Sequence, residues 1–259
     1  MISSIWSCPA DRMLAFPVAT LLRFCHNHGL LQITDRPQWR TVRHGSRQYV
    51  RAIVSSLDDK RVASPVLSVV RNDAGALIRT GGGVEHYDHV IFACHTDQTI
   101  HLLGTDATPA ELRVLGAIRY QANDAVLHTD TALLPLHRSA WAAWNYEASP
   151  QGGEAGVCLH YLLNRLQPLP WEQPVIVSLN PLREPRAATV IRRFVYEHPV
   201  FDATAIAAQK GLPQIQGQRR SWFCGAWAGY GFHEDGLNSG LAVAEAIARV
   251  QPAVQRGAA

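Results

Sequence analysis

The chain has 259 residues, 47% of them hydrophobic and 17% charged, with a formal net charge of +3. That length supports one large or two modest cores, and a charge this small, with no Lys/Arg run longer than two, excludes a surface built on basic tracts for nucleic acid. There is no secretory signal and no apolar span of about 18 residues, so a cytoplasmic protein with at most peripheral membrane contact is expected.

Residues 11–27 carry apolar side chains at helical spacing, with Asp11 suited to cap the start, Pro17 to kink or restart the helix, and Gly29 just past its end. His44-Gly45-Ser46 opens a second helical stretch over 47–57. Residues 62–93 are β-rich: apolar runs at 65–70, 76–80 and 88–94 are separated by Asn72-Asp73-Ala74-Gly75 and by Gly81-Gly82-Gly83, which predicts a hairpin pair. No helix follows the triple glycine, so it reads as a turn and not as a phosphate loop. A short helix is expected over 97–103. Another starts at Thr108-Pro109-Ala110-Glu111, with proline at the first helical position. Over 117–179 the pattern predicts an antiparallel sheet with strands at 125–129, 140–147, 156–163 and 175–179. Residues 188–196 add a strand, and 203–210 form a helix closed by Gly211.

The stretch richest in chemistry is 219–247, RRSWFCGAWAGYGFHEDGLNSGLAVAEAI. An apolar β-type run, 221–224, drops into a turn carrying Gly225, Gly229 and Gly231. A helix follows, opened by His233-Glu234-Asp235-Gly236 and bearing small residues at Ser239, Gly240, Ala242, Ala244 and Ala246. A strand end, glycines that permit close backbone approach and a helix N-terminus together make a site for an electron-rich ligand. A strand–turn–helix with glycines also serves as a plain tight connection, so spacing alone leaves both readings open.

The order of residues in this stretch resembles the closing motif of the flavin-dependent amine oxidase and desaturase superfamily. Gly225-Ala226 matches the pair that ends the strand, and Gly236-Leu237-Asn238-Ser239-Gly240, with Ala242 and Ala244, matches the helix that covers the flavin. Further segments resemble a bacterial group of predicted NAD/FAD-binding, amine-oxidase-like proteins within it: Ile5-Trp6-Ser7-Cys8-Pro9, Phe24-Cys25-His26-Asn27-His28-Gly29-Leu30, Pro37-Gln38-Trp39-Arg40-Thr41-Val42, Val126-Leu127-His128-Thr129-Asp130, Trp144-Asn145-Tyr146 and Tyr196-Glu197-His198-Pro199-Val200-Phe201-Asp202. Together they span nearly all of the chain.

The resemblance implies an α/β (mixed α+β) fold. Residues 41–108 and 201–259 would form part of an FAD-binding domain, and 112–200 a substrate domain with a mixed or antiparallel sheet, to which 1–40 adds a helical part. FAD is the implied cofactor. Val66 would lie on the strand that meets the adenine and Ala93 at the strand end near the pyrophosphate. Gly225, Ala226, His233, Glu234, Asp235, Gly236 and Leu237 would hold the flavin, with the helix dipole stabilising negative charge on its reduced form. Trp144, Tyr146 and Tyr161, beside Trp141, offer apolar faces with polar tips for a substrate pocket, although any one of them serves equally as core packing.

Two departures qualify this. Such flavoproteins begin with a strand, a Gly-x-Gly-x-x-Gly turn and a helix that hold the pyrophosphate. No such fingerprint occurs here: Gly225, Gly229 and Gly231 have another spacing, and Gly152, Gly153 and Gly156 lie in polar text. The resemblance thus implies the C-terminal portion of a longer flavoprotein, an FAD-dependent oxidoreductase with an incomplete Rossmann-type domain. Its implied partners are a small-molecule substrate, small or apolar, and, where the gene is split, a separate N-terminal FAD-domain chain; alone it is expected to bind FAD weakly or not at all. The alternative is a non-catalytic remnant or partner half. Second, the lysine that amine oxidases place early in the substrate domain is missing from 120–126, YQANDAV, which sets dehydrogenation or isomerisation beside amine oxidation.

Other chemistries find little support. No Gly-x-Ser-x-Gly elbow is present. The 12 histidines include no His-x-x-x-His or Glu-x-x-His, so no metal site is expected. Cys8, Cys25, Cys94, Cys158 and Cys224 are widely spaced among apolar neighbours, which suits free thiols in a reducing compartment.

Overall fold

The computed structural model describes residues 6, 16–148 and 158–250. The Asp11 cap, residues 5 and 7–9 of the first motif, and the glycines at 152, 153 and 156 lie outside the described residues. In chain order come helices α1 (Val18–Asn27) and α2 (Arg47–Ser55), then strands β1 (Val66–Asn72), β2 (Gly75–Thr80), β3 (Gly83–Tyr87) and β4 (Val90–Phe92). Helices α3 (Thr96–Leu103) and α4 (Pro109–Leu115) precede β5 (Tyr120–His128), β6 (Trp144–Glu147) and β7 (Cys158–Leu162). The short α5 (Leu163–Leu166), β8 (Ile176–Leu179), β9 (Val190–Pro199), α6 (Ala203–Gln209), β10 (Ser221–Phe223) and α7 (His233–Val250) complete the α/β fold.

The chain divides into two units, each discontinuous in sequence: residues 1–60 with 120–200, and 61–119 with 201–259. This division groups residues 41–60 with the antiparallel sheet and residues 109–119 with the second unit.

In the first unit, β6-β7-β8-β5-β9 form a five-stranded antiparallel sheet. Pro17 occupies the N-cap of α1, where its lack of an N–H costs nothing. The helix stops at Gly29, whose φ of +63° suits glycine and whose added Cβ would lie 2.5 Å from Pro37 Cδ. Strand β5 starts five residues before the expected 125. The polar text Tyr120-Gln121-Ala122-Asn123-Asp124 conceals it, but Asn180 accepts from the Asp124 N–H at 2.9 Å and donates to Asn123 Oδ1 at 2.8 Å, satisfying that stretch from outside the strand. Strand β9 then pairs with β5 from Tyr120↔Pro199 to His128↔Val190.

The second unit holds a three-stranded meander, β1-β2-β3, and a parallel pair, β10 beside β4. The first turn of the meander is local chemistry: Asn72 Oδ1 accepts from the Ala74 and Gly75 N–H groups at 2.9 and 3.0 Å. Strand β3 extends the expected hairpin pair by one strand. The parallel pair runs Ser221↔Val90, Trp222↔Ile91, Phe223↔Phe92 and joins segments far apart in sequence. Thr108 and Glu111 cap α4 reciprocally, Glu111 N–H to Thr108 Oγ1 at 3.2 Å and Thr108 N–H to Glu111 Oε2 at 2.8 Å.

Arg71 of β1 is 2% exposed. Its guanidinium donates to Asp106 Oδ2 at 2.7 Å, to both oxygens of Glu111 at 2.5 and 3.0 Å, and to Ser221 Oγ at 3.1 Å. Burial works against the charge, but the hydrogen bonds to Glu111 and Asp106 outweigh it and raise the guanidinium's pKa further. Arg219 adds donors to Asp106 Oδ1 and to the Arg71 carbonyl, each at 2.8 Å. Removing one member of a buried ion cluster strands the others without water. Arg71→Ala should therefore cost about 3–5 kcal/mol, measured by denaturant unfolding followed by circular dichroism; a loss under about 1 kcal/mol would contradict the clamp.

Candidate functional site

Within the second unit, the parallel pair brings the ends of β4 and β10 side by side, and the Cys224 N–H continues the ladder to the Phe92 carbonyl at 2.9 Å. Ala93 and Gly225-Ala226 thus follow two neighbouring parallel strands, the place where open α/β sheets bind ligands. Gly225 takes φ +153°, and a Cβ there would lie 2.5 Å from Trp227 Nε1. The Trp227 indole donates to the Cys94 carbonyl at 3.3 Å, tying the turn after β10 to the end of β4. Ser239 of α7 accepts from the Gly225 N–H at 2.9 Å and donates to the Gly236 carbonyl at 2.9 Å. Gln209 of α6 holds the same turn by donating to the Trp227 and Gly229 carbonyls at 2.8 and 2.7 Å.

The helix start is equally specific. Asp235 Oδ2 accepts from the Phe232 N–H at 2.9 Å, a reach back from the first turn to the residue before the helix. The Gly236 N–H is bonded to the Phe232 carbonyl at 3.1 Å. The Gly236 N–H therefore belongs to the helix ladder of α7. Gly236 is close to the turn: its Cβ would lie 3.7 Å from the Ala226 nitrogen. Along α7, Val243, Ala246 and Ile247 pack on Trp222 and Cys224, while Leu237 and Leu241 stay exposed. A hollow of about 440 Å³ is lined by Val66, Cys94, Asp97, Gln98, His101 and Leu102, so Val66 and the residue after Ala93 converge on one concavity at the end of β4.

The first unit carries two further features. On one face of its sheet, Trp144 pairs across the strands with Tyr161, the rings 5.5 Å apart and edge-to-face, and Tyr146 stands two residues along. Trp144 and Tyr146 are exposed, whereas Tyr161, its phenol pKa raised by burial, packs on Ala125, Leu159 and Leu179 with Phe194. Trp141 packs with Leu134, Leu162 and Ile176 and donates to the Pro135 carbonyl at 2.8 Å.

Buried beside the other face is a chain of polar groups. The Asp130 N–H donates to His128 Nδ1 at 3.0 Å, so His128 carries its proton on Nε2 and donates to Ser178 Oγ at 2.6 Å. Ser178 lies 2.6 Å from His160 Nδ1, and His160 Nε2 lies 3.1 Å from Glu147 Oε2. With the His128 proton so placed, Ser178 donates to His160 and His160 to Glu147, and every group is satisfied. Burial, then the neighbouring His160, push His128 down to about 4. Arg186 makes a bidentate pair with Asp130 at 3.0 and 3.1 Å and holds its carboxyl well below the usual range.

No family model and no curated protein matches the chain. Solved structures do. A CLA-producing fatty acid isomerase from P. acnes aligns with a TM-score of 0.57 at 12% identity, over 80% of this chain and 52% of that one. A putative protoporphyrinogen oxidase from Exiguobacterium sp. 255-15 aligns with a TM-score of 0.52 at 14% identity, over 90% of this chain and 58% of that one. A putrescine oxidase redesigned in its cofactor binding aligns with a TM-score of 0.54 at 14% identity, over 80% of this chain and 53% of that one. The likeness is one of fold. The chain spans little more than half the length of these structures.

Sequence reasoning missed Gln209, Trp227 and the His128–Ser178–His160–Glu147 chain. The first two lie outside the helix motif, and the polar chain joins four strands. Two outcomes test the geometry. Gly225→Ala meets Trp227 and should cost at least about 1 kcal/mol, whereas Gly236→Ala makes ordinary contacts and should stay within about 1 kcal/mol of the parent in thermal unfolding. For His128, the unfolded chain takes up a proton between the ordinary 6.5 and about 4 that the folded chain refuses. Its stabilisation is thus complete above the unfolded value and lost as pH falls through that window, by at most about 3 kcal/mol. Urea midpoints between pH 7 and 4 check this, and a flat profile contradicts it.

Proposed function

We propose that this chain is part of an FAD-dependent oxidoreductase that removes hydride from a C–N or C–C bond of a small or apolar substrate. The observation that carries this is the strand–turn–helix β10–Gly225–α7 set beside the end of β4. It combines close backbone approach at Gly225-Ala226 with a helix N-terminus, the arrangement that suits an electron-rich ring system.

The residues present fit one end of the cofactor better than the other. Gly225, Ala226 and the first turn of α7, from His233 to Leu237, would hold the flavin, and Val66 and Ala93 would border the adenosine and pyrophosphate. The glycine-rich phosphate turn is not in this sequence, so a further segment or a separate dinucleotide-binding chain would supply it. Among the described residues the parallel sheet of the second unit has two strands, which supports the same view, since parallel sheets gain stability from flanking strands and covering helices. When bound, the flavin supplies the hydride acceptor. The chain's own part is to orient: the positive end of α7 favours negative charge, Ser239 keeps the turn at Gly225 in place, and Gln209 holds it from behind.

Trp144, Tyr146 and Tyr161 would contact substrate from the face of the five-stranded sheet. Their apolar surfaces, together with the missing lysine at 120–126, favour an apolar substrate and a dehydrogenation or isomerisation over amine oxidation. That a fatty acid isomerase shares the fold is consistent with this. The free thiols Cys25, Cys94, Cys158 and Cys224 suit a reducing compartment, and no helix among the described residues is long and apolar enough to cross a membrane.

FAD titration of the purified chain should show weak or no binding, because affinity depends on several converging donors. Co-expression with a dinucleotide-binding domain of this superfamily should yield a yellow complex, and Gly236→Val should reduce its flavin content while circular dichroism stays unchanged. Stoichiometric FAD on the chain alone, or a flavin-replete Gly236→Val complex, would overturn the reading.

A further inference from the structure

Glu147 ends β6 and Cys158 begins β7, and the two are direct cross-strand partners. His160 lies two residues further along β7, on the same face. Their donor atoms converge: His160 Nε2 is 3.1 Å from Glu147 Oε2 and 3.4 Å from Cys158 Sγ, and Cys158 Sγ is 3.9 Å from Glu147 Oε2. Among the described residues this is the group of metal-type side chains whose ligand atoms lie within 4.8 Å of one another. We propose that Glu147, Cys158 and His160 form a three-ligand site for a divalent cation of the zinc class, independent of any flavin.

Three observations point this way. The separations bracket the edges of a coordination tetrahedron: metal bonds of about 2.0–2.3 Å to N, O and S place ligand atoms about 3.3–3.6 Å apart, and 3.1, 3.4 and 3.9 Å lie within about 0.3 Å of that range. The 3.9 Å between sulfur and carboxylate is long for a hydrogen bond but close to such an edge. Each ligand also has an outer partner that orients it, as metal ligands do. Arg183 Nε donates to the other Glu147 oxygen at 3.1 Å, Ser178 Oγ lies 2.6 Å from His160 Nδ1, and the Leu182 backbone hydrogen-bonds the Cys158 sulfur. Finally, Cys158 and His160 are buried while Glu147 is partly exposed, so the group is reached from solvent at the carboxylate.

Protons balance simply. The Cys158 thiol releases one proton to solvent as its sulfur bonds the cation. The His160 proton moves from Nε2 to Nδ1 and faces Ser178 Oγ; Ser178 keeps its own proton, which turns away from the imidazole, and its two lone pairs accept from His128 and His160. Thiolate and carboxylate then neutralise the cation, and the sulfur and imidazole ligands disfavour a hard, oxygen-seeking ion such as Mg²⁺.

The test uses the full chain, stripped with a chelator and titrated with Co²⁺ and then Zn²⁺. One equivalent of Co²⁺ should produce near-ultraviolet thiolate-to-cobalt absorption that Zn²⁺ abolishes. Cys158→Ser should lose this band, and Cys25→Ser should keep it. Glu147→Gln, at a partly exposed position, should keep the band but weaken Zn²⁺ binding by more than the 10-fold or so that follows loss of an outer partner. No cobalt band in the parent chain, an equal band in Cys158→Ser, or unchanged Zn²⁺ affinity in Glu147→Gln overturns the proposal. Should Cys158→Ser lose its fold by circular dichroism, the Glu147→Gln measurement decides alone.

Discussion

One guanidinium kept from water orders the unit that carries the strand–turn–helix. Arg71 reaches Asp106, Glu111 and Ser221 at once, and so ties β1 to the segment after α3, to the start of α4 and to the first residue of β10. A buried charge is tolerable only when its donors are all answered, which leaves little freedom in the register of β10 against β4. That register in turn sets where Gly225 leaves the strand and where α7 can begin. Position at the candidate site is thus inherited from a buried ion cluster at the other end of β10.

The first unit solves a different problem with neutral groups. Its sheet buries two imidazoles and a hydroxyl in one line, ending at the half-exposed Glu147. Burial raises the Glu147 pKa, but the hydrogen bonds from His160 and Arg183 outweigh this and keep it low. Burial raises the Cys158 thiol to about 11. A thiol, an imidazole and a carboxylate therefore sit within reach of one another, and a cation bonding the sulfur would have to displace its proton.

The aromatic face behaves as its alternation suggests. Trp144 and Tyr146 project from one side of β6 and Asn145 from the other, where its amide is spent on the Ala142 and His160 carbonyls at 2.8 and 3.2 Å. Trp141, in the same tryptophan-rich text, packs in the core instead, because β6 begins only at Trp144.

Local elements were legible where the deciding interactions span a few residues. The reciprocal cap of Thr108 and Glu111, the Asn72 turn, the stop at Gly29 and the small-residue helix after Gly236 all follow from neighbours in the chain. Strand β5 was half hidden, because Asn123 and Asp124 are polar text whose partners come from Asn180. The motif with Gly225 and Gly236 was readable as a strand–turn–helix, but which N–H groups the helix keeps for itself was not. By itself the sequence determined the caps and turns made by near neighbours, such as the Asn72 turn and the Thr108–Glu111 cap. Tertiary structure alone decided which distant groups share a site: Arg71 with Glu111, 40 residues on, and with Ser221, 150 on, and Glu147 with His160, 13 on. The reason is physical. Capping and turn energies are paired along the backbone, whereas charge burial and ligand convergence depend on strand register, and no short pattern encodes it.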